Sequence, residues 1–228
     1  VADFQDPTTG LGGFFLQEAD AQADADPLTS EGIFVYTTTV PVAMGDLLRV
    51  QGSVDEFYNL TELNNVVRLS TCSQSNPLPT PATVNLPLAS ALDWERWEGM
   101  AISIPQTLYA TDTYTLGRYG EVALSANARL EQPTQVVAPG AAALALQDLN
   151  NRSRIQLDDG SNVQNPAPLP PYLASLALSE IKADAGLRDI PVVVLTISTA
   201  CSSEQPRPST MRWPPKLRMG KDWPVLPH

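Results

Sequence analysis

Histidine is nearly absent from this chain. Its 228 residues contain one, His228, at the end. Ser/His/Asp and Cys/His nucleophile systems therefore have no base in the body of the chain. A metal-dependent phosphodiesterase needs convergent His, Asp, Asn and Glu groups to hold metal and activate water, and no such set is visible. Lysine is almost as scarce: Lys182, Lys216 and Lys221 are the only three. The two cysteines, Cys72 and Cys201, form no metal-ligand motif, and a disulfide between them stays open. No apolar run reaches the length of a membrane span. No signal-peptide pattern is present and the first residue is not Met. Val1-Ala2-Asp3-Phe4 reads as the inside of a strand, so the chain is expected to be a fragment that starts within an element.

What the sequence has is acid, proline and short apolar alternations. Twenty-five acidic residues against 14 basic ones leave a formal net charge of −11. Such a chain is not expected to bind nucleic acid tightly through charge alone, because phosphates are neutralised by Lys and Arg. The imbalance is uneven. Residues 1–200 hold nine basic and 23 acidic side chains, whereas residues 201–228 hold five and two. Hydrophobic content of 43% is enough for a core, and 21 prolines with 13 glycines suit short strands joined by turns. Helix is expected only over Glu95–Met100, Ala141–Asn150 and Ala174–Asp184.

The first unit is expected to cover residues 1–75. Val1–Gln5, Gly13–Glu18, Gly32–Thr37, Leu47–Glu56 and Val66–Ser70 read as five strands. The fourth alternates, breaks at Gly52 and continues, which is how a small barrel turns a corner. Phe15 and Phe34 are expected inside, with Leu16 or Val35 on the other side; the register is open by one residue. Residues 76–90 are rich in Pro and Thr and read as an extended linker. A second β domain is expected over 91–200. Trp94 and Trp97, three apart, form one apolar face of a short helix. Residues 201–228, broken by six prolines, are expected to be a disordered or aberrant tail.

The stretches Gly12–Glu18, Thr29–Tyr36 and Gly45–Tyr58 together resemble the oligonucleotide-binding-fold-like region in front of the catalytic module of secreted bacterial endonucleases. Leu92-Asp93-Trp94-Glu95-Arg96-Trp97-Glu98-Gly99-Met100 is similar to that family's Leu-Glu-Arg-Tyr-Glu-Gly-Met element. Leu108–Thr111, Tyr114–Glu121, Val122–Ser125 and Arg154–Ser161 extend the resemblance to about residue 172. It implies an all-β fold of tandem OB-like small barrels with short helices in the connections. It also implies an extracellular parent whose linked nuclease module, of the endonuclease/exonuclease/phosphatase type, hydrolyses phosphodiesters with Mg²⁺. That module is not in this chain. A Gly-Asp-x-Val strand expected after Tyr172 is missing too, and Ile190–Ala200 stands in its place. Codons for Val192–Ala200 read one base earlier can spell Gly-Gly-Val-Asp-Tyr-Gln-Tyr-Gly, close to the missing strand. A frameshift between about residues 174 and 190 and a lineage-specific tail are both open. The second barrel would then lack its closing strand.

Two sites are candidates. In the loop from Asp20 to Glu31, Asp20, Asp24, Asp26 and Glu31 fall at positions 1, 5, 7 and 12 of a spacing that suits Ca²⁺. A solvated acidic loop is the alternative, since the turn glycine is absent and the flanks read as strands. The second candidate is a face for DNA or RNA, bound weakly, single-stranded or without sequence preference. Exposed aromatics would stack on bases and arginines would follow phosphates. Its residues are Phe14, Tyr36, Arg49, Phe57, Tyr58 and Arg68 in the first unit, and Tyr114, Arg118, Tyr119 and Arg129 in the second. The competing reading is a calcium-stabilised spacer with no nucleic-acid binding. Arg49, Arg68, Arg118 and Arg129 gathered on one face with exposed aromatics would favour the nucleic-acid face; scattered arginines would favour the spacer.

Overall fold

In the computed structural model the described residues are 3–6, 8, 10–158, 160, 161, 163–165 and 167, with the backbone of Gly186–Leu187 and Ile197–Ser198. They are mostly strands with a few short helices. No helix among them is long and apolar enough to cross a membrane.

Alternating side chains build the first sheet. Its strands are β1 (Asp3–Phe4), β2 (Gly13–Gln17), β3 (Gly32–Val35), β4 (Leu47–Phe57) and β5 (Leu60–Ser73). They lie in the order β1-β2-β3-β5-β4, antiparallel except for β3 against β5. Phe14, Leu16, Val35, Val42 and Leu48 form its core, with Ile33, Val50, Leu63, Val66 and Leu69 packed against it. This corrects the expected register by one residue. Phe14 pairs with Val35 and faces the core, while Phe15 pairs with Phe34 on the opposite face, ring centroids 5.0 Å apart; Phe34 is buried there, as expected, at 3% exposure. In a strand a one-residue slip exchanges the two faces.

The β4–β5 hairpin is longer than expected. Its two-residue turn, Tyr58-Asn59, has φ of 51° and 70°. Left-handed conformation at both positions twists the chain as a tight hairpin requires. β5 therefore starts at Leu60, not Val66. The break at Gly52 is present: the register jumps from Gln51 opposite Arg68 to Ser53 opposite Asn64. A Cβ on Gly52 would lie 2.6 Å from the Asn64 carbonyl oxygen, so the approach needs glycine.

Residues 76–90, expected as a linker, supply core instead. β6 (Ala82–Thr83) pairs in parallel with β7 (Ile102–Ser103). Val84, Leu86 and Leu88 alternate into a second core beside Ile102, Ile104, Leu108, Ala110, Leu116, Val122, Leu124 and Ala126. Trp94 and Trp97 lie on the 3-10 helix Ala91–Trp97 and pack against that core. Residues three apart eclipse in a 3-10 helix, which brings the indoles edge to face at 6.2 Å. A capping box starts this helix: Ser90 Oγ accepts from Leu92 N, and Asp93 accepts from Ser90 N.

The second sheet has the order β10-β9-β8-β11. β8 is Leu108–Asp112, β9 Val122–Ala126, β10 Arg154–Leu157 and β11 Gly186–Leu187. The helix α1 (Leu116–Tyr119) joins β8 to β9, and α2 (Pro133–Val136) and α3 (Ala141–Arg152) join β9 to β10. β12 (Ile197–Ser198) pairs in parallel with β2 at Leu16 and Gln17. Neither sheet closes into a barrel among the described residues. The expected helix at Ala174–Asp184, the frameshift region and the 201–228 tail lie outside the described residues, apart from the backbone of β11 and β12.

The first sheet meets the 3-10 helix and the turn after it along a close seam. A Cβ on Gly32 would fall 2.4 Å from the Gly99 carbonyl carbon. Ser30 Oγ donates to the Glu98 carbonyl at 2.6 Å, and Ala101 N donates to Gln17 Oε1 at 2.9 Å. Arg96 Nε donates to the Pro27 carbonyl at 2.6 Å. Backbone on both sides leaves no flexible side chain to yield, so Gly32→Ala is expected to destabilise the fold by about 1–3 kcal/mol. Urea denaturation followed by tryptophan fluorescence checks it. An unchanged midpoint would mean the seam opens without cost.

Candidate nucleic-acid interface

Pairing and alternation decide which predicted residues share a face. Phe34 stands beside Glu62 and Val35 beside Leu63, and Tyr36 N donates to the Leu63 carbonyl at 2.9 Å. Tyr36 therefore follows Phe34 onto the side of the sheet away from the core. In β4–β5, Arg49 pairs with Ser70 and Gln51 with Arg68. These pairs alternate with the core pairs Leu48–Thr71 and Val50–Leu69, so both arginines also point outward. Arg49 and Arg68 are diagonal neighbours across the ladder. The outward side of β4–β5 thus carries Arg49 and Arg68 together, while Tyr36 stands on the same side beside Leu63, about 15–20 Å further along β5 and across the Gly52 irregularity.

The other predicted residues do not join them. Phe14 is 0% exposed and belongs to the core. Phe57 and Tyr58 sit at the hairpin tip, packed edge to face at 4.7 Å, with Tyr58 89% exposed. Arg118 lies on α1 before β9 and Arg129 lies after it, so the length of β9, about 17 Å, separates their backbones. Arg118 stacks over the half-buried Tyr119 ring at 5.2 Å and donates to Gln164 at 3.2 Å. Tyr114 is exposed at the turn before α1, where its N–H donates to Asp112 Oδ1.

A cleft of about 570 Å³ opens beside Tyr36. Gly10–Gly12, Tyr36–Thr39, Glu62 and Asn64–Val66 line it. Gly12 has φ +74°, and a Cβ there would meet the Tyr36 ring at 3.1 Å, so the ring lies directly over the glycine. Tyr36 remains 55% exposed, while Glu62 is only 6% exposed. Asn64 Nδ2 bridges Asp55 Oδ2 at 3.0 Å and Glu62 Oε1 at 3.4 Å. Glu62, Asn64 and Asn65 were not singled out from the sequence. The Tyr58-Asn59 turn is the signal that finds them, because it starts β5 early enough to place Glu62 and Asn64 on the outer face.

The acidic loop is a hydrogen-bonded clamp. Asp20 Oδ1 accepts from Thr80 N at 2.9 Å and Oδ2 from Thr80 Oγ1 at 2.6 Å. Asp24 Oδ1 accepts from Asp26 N, Asp26 Oδ1 from Leu28 N, and Glu31 Oε1 from Asp24 N. These carboxylates serve separate backbone groups. No group of three or more His, Cys, Asp or Glu placed to hold a metal occurs among the described residues. Cys72 is disulfide-bonded, and Cys201 lies outside the described residues.

Comparison of the chain with known family models, curated proteins and solved structures finds no match.

The Thr80 hydroxyl and then its backbone N–H hold the Asp20 carboxyl below its ordinary range. A lowered folded-state value means that the clamp stabilises fully above the ordinary aspartate range. Its contribution fades as pH falls through the lowered value. Carboxyl-detected NMR titration should place Asp20 below a free aspartate, and Thr80→Val should return it toward the ordinary value. An unshifted Asp20 in the unaltered chain would remove the clamp.

Proposed function

We propose that this chain is a non-catalytic accessory region of an extracellular endonuclease, and that single-stranded DNA or RNA crosses the outer face of β3–β5–β4. The observation that supports this is the pair Arg49 and Arg68 on the outward side of β4–β5, with the exposed Tyr36 on the same side further along β5. An aromatic platform and two cations spaced along one side of a sheet are the minimal equipment for holding an extended strand by stacking and phosphate contact. The strand order β1-β2-β3-β5-β4 with β3 parallel to β5 supports an OB-like first unit. In this reading Mg²⁺ acts only in a covalently linked phosphodiesterase module, and the present chain contacts substrate or orients that module.

The second reading is a structural spacer with Ca²⁺ in the Asp20–Glu31 loop. The tie between that loop and Thr80 favours the spacer role, since it joins the first sheet to the segment that enters the second core; it also occupies both oxygens of Asp20, so calcium would have to displace it.

Titrating labelled single-stranded DNA into the full chain at low salt, with and without calcium, separates the two. Saturable binding that weakens as salt rises is expected. Arg49→Gln and Arg68→Gln should each reduce the salt slope by about 0.7. Tyr36→Ala should cost about 1–3 kcal/mol of binding. Absence of binding in both conditions would leave the spacer. A calcium requirement would bring the acidic loop into the site.

A further inference from the structure

The cleft beside Tyr36 contains a buried carboxylate with spare acceptor capacity. Glu62 is 6% exposed. Its Oε1 receives one long bond, 3.4 Å, from Asn64 Nδ2, and its Oε2 receives none from the described residues. Asn64 cannot turn further toward it without losing the shorter bond to Asp55. A buried carboxylate in this state favours a ligand that brings donors. The cleft has the volume for a small ring system. One wall is the exposed Tyr36 ring, set over Gly12.

We propose that this cleft takes one unstacked guanine from a single strand, stacked on Tyr36, with its N1–H and N2–H donors on the Glu62 carboxylate. The inference rests on the single-strand reading above and adds a base preference to it. An ionised carboxylate only accepts hydrogen bonds, and guanine presents two adjacent donors on its Watson–Crick edge. Cytosine and adenine present one amino group beside a ring-nitrogen acceptor. Thymine presents one N–H between two carbonyls that the carboxylate repels. The strand's phosphates stay outside the cleft, where Arg68, two residues beyond the lining Val66, lies on β5. A neutral sugar would use the donors of the cleft but would have no use for the neighbouring arginines. A nucleotide uses both.

Fluorescence anisotropy on the full chain at low salt tests this. The probes are a labelled ten-residue thymidine oligonucleotide, the same strand with one central dG, and the same strand with deoxyinosine there. The dG strand is expected to bind about tenfold more tightly than the thymidine strand. Deoxyinosine, which lacks the N2 amino group, is expected to lose most of that gain. Glu62→Gln should bring the dG and thymidine strands together while leaving thymidine binding unchanged or stronger. Equal affinity for the three strands on the unaltered chain overturns the guanine inference and leaves the strand-binding face standing. No binding to any of them overturns both. The inosine comparison needs no variant, so it decides the matter even where Glu62→Gln fails to fold.

Discussion

The approach of Gly32 to Gly99 sets the terms for the rest of the molecule. Two backbones meet where even one added methyl group has no room. Around that point side chains bond backbone groups across the seam between the first sheet with its loops and the turn after the 3-10 helix: Ser30 to Glu98, Gln17 to Ala101, Arg96 to Pro27. The seam covers the far end of the outer face of β2–β3, where Gln17 is buried. It leaves the near end open, and the cleft beside Tyr36 lies there. What a ligand can reach is thus decided by the same contacts that hold the sheets together. Residues 76–90 must run from one sheet to the other within this geometry, and their alternating Val84, Leu86 and Leu88 feed the second core.

Acidity in this chain is largely a matter of turn chemistry. Asp6, Asp24, Asp26, Asp112 and Asp158 each accept from the backbone N–H two residues on. An aspartate used this way stabilises a turn without a counter-ion. These five account for part of the 25 acidic residues behind the net charge of −11, and Asp55, Glu56 and Glu62 add acid on the β4–β5 ladder. The cost falls on any polyanionic ligand, which must approach a negative surface. Arg49 and Arg68 matter because they form a local exception on the sheet.

Several elements were legible because their signals are local. Alternation located β2, β3 and β4, and Gly52 marked the irregularity in β4. Trp94 and Trp97 were readable as one apolar face. The faces of β2 were not, since Gly13-Phe14-Phe15-Leu16 is apolar throughout and only the partner strands choose between Phe14 and Phe15. The Pro and Thr content of 76–90 suggested a linker and hid a period-two apolar pattern. The cleft was hidden for a related reason: with β5 started at Val66, Glu62 and Asn64 fell in a loop with no assigned face. The arginine pair was recognisable by residue type, but its shared face depends on the register across the Gly52 irregularity, a long-range property.

Two arginines on an acidic module set the scale of what strand binding here can accomplish. Neutralising two phosphates of a single strand gives a salt slope of about −1.4, far short of a protein that grips nucleic acid by charge. Stacking on Tyr36 adds affinity without depending on salt. Under the proposed reading such a surface would hold a strand briefly and locally. Linked to a catalytic module, brief contact suffices, because tethering turns the second encounter into an intramolecular one with a high effective concentration. A tight surface would retard turnover by holding the products as firmly as the substrate. The sparse arginines and general acidity of the chain therefore fit a face that guides a strand toward another module better than one that stores it.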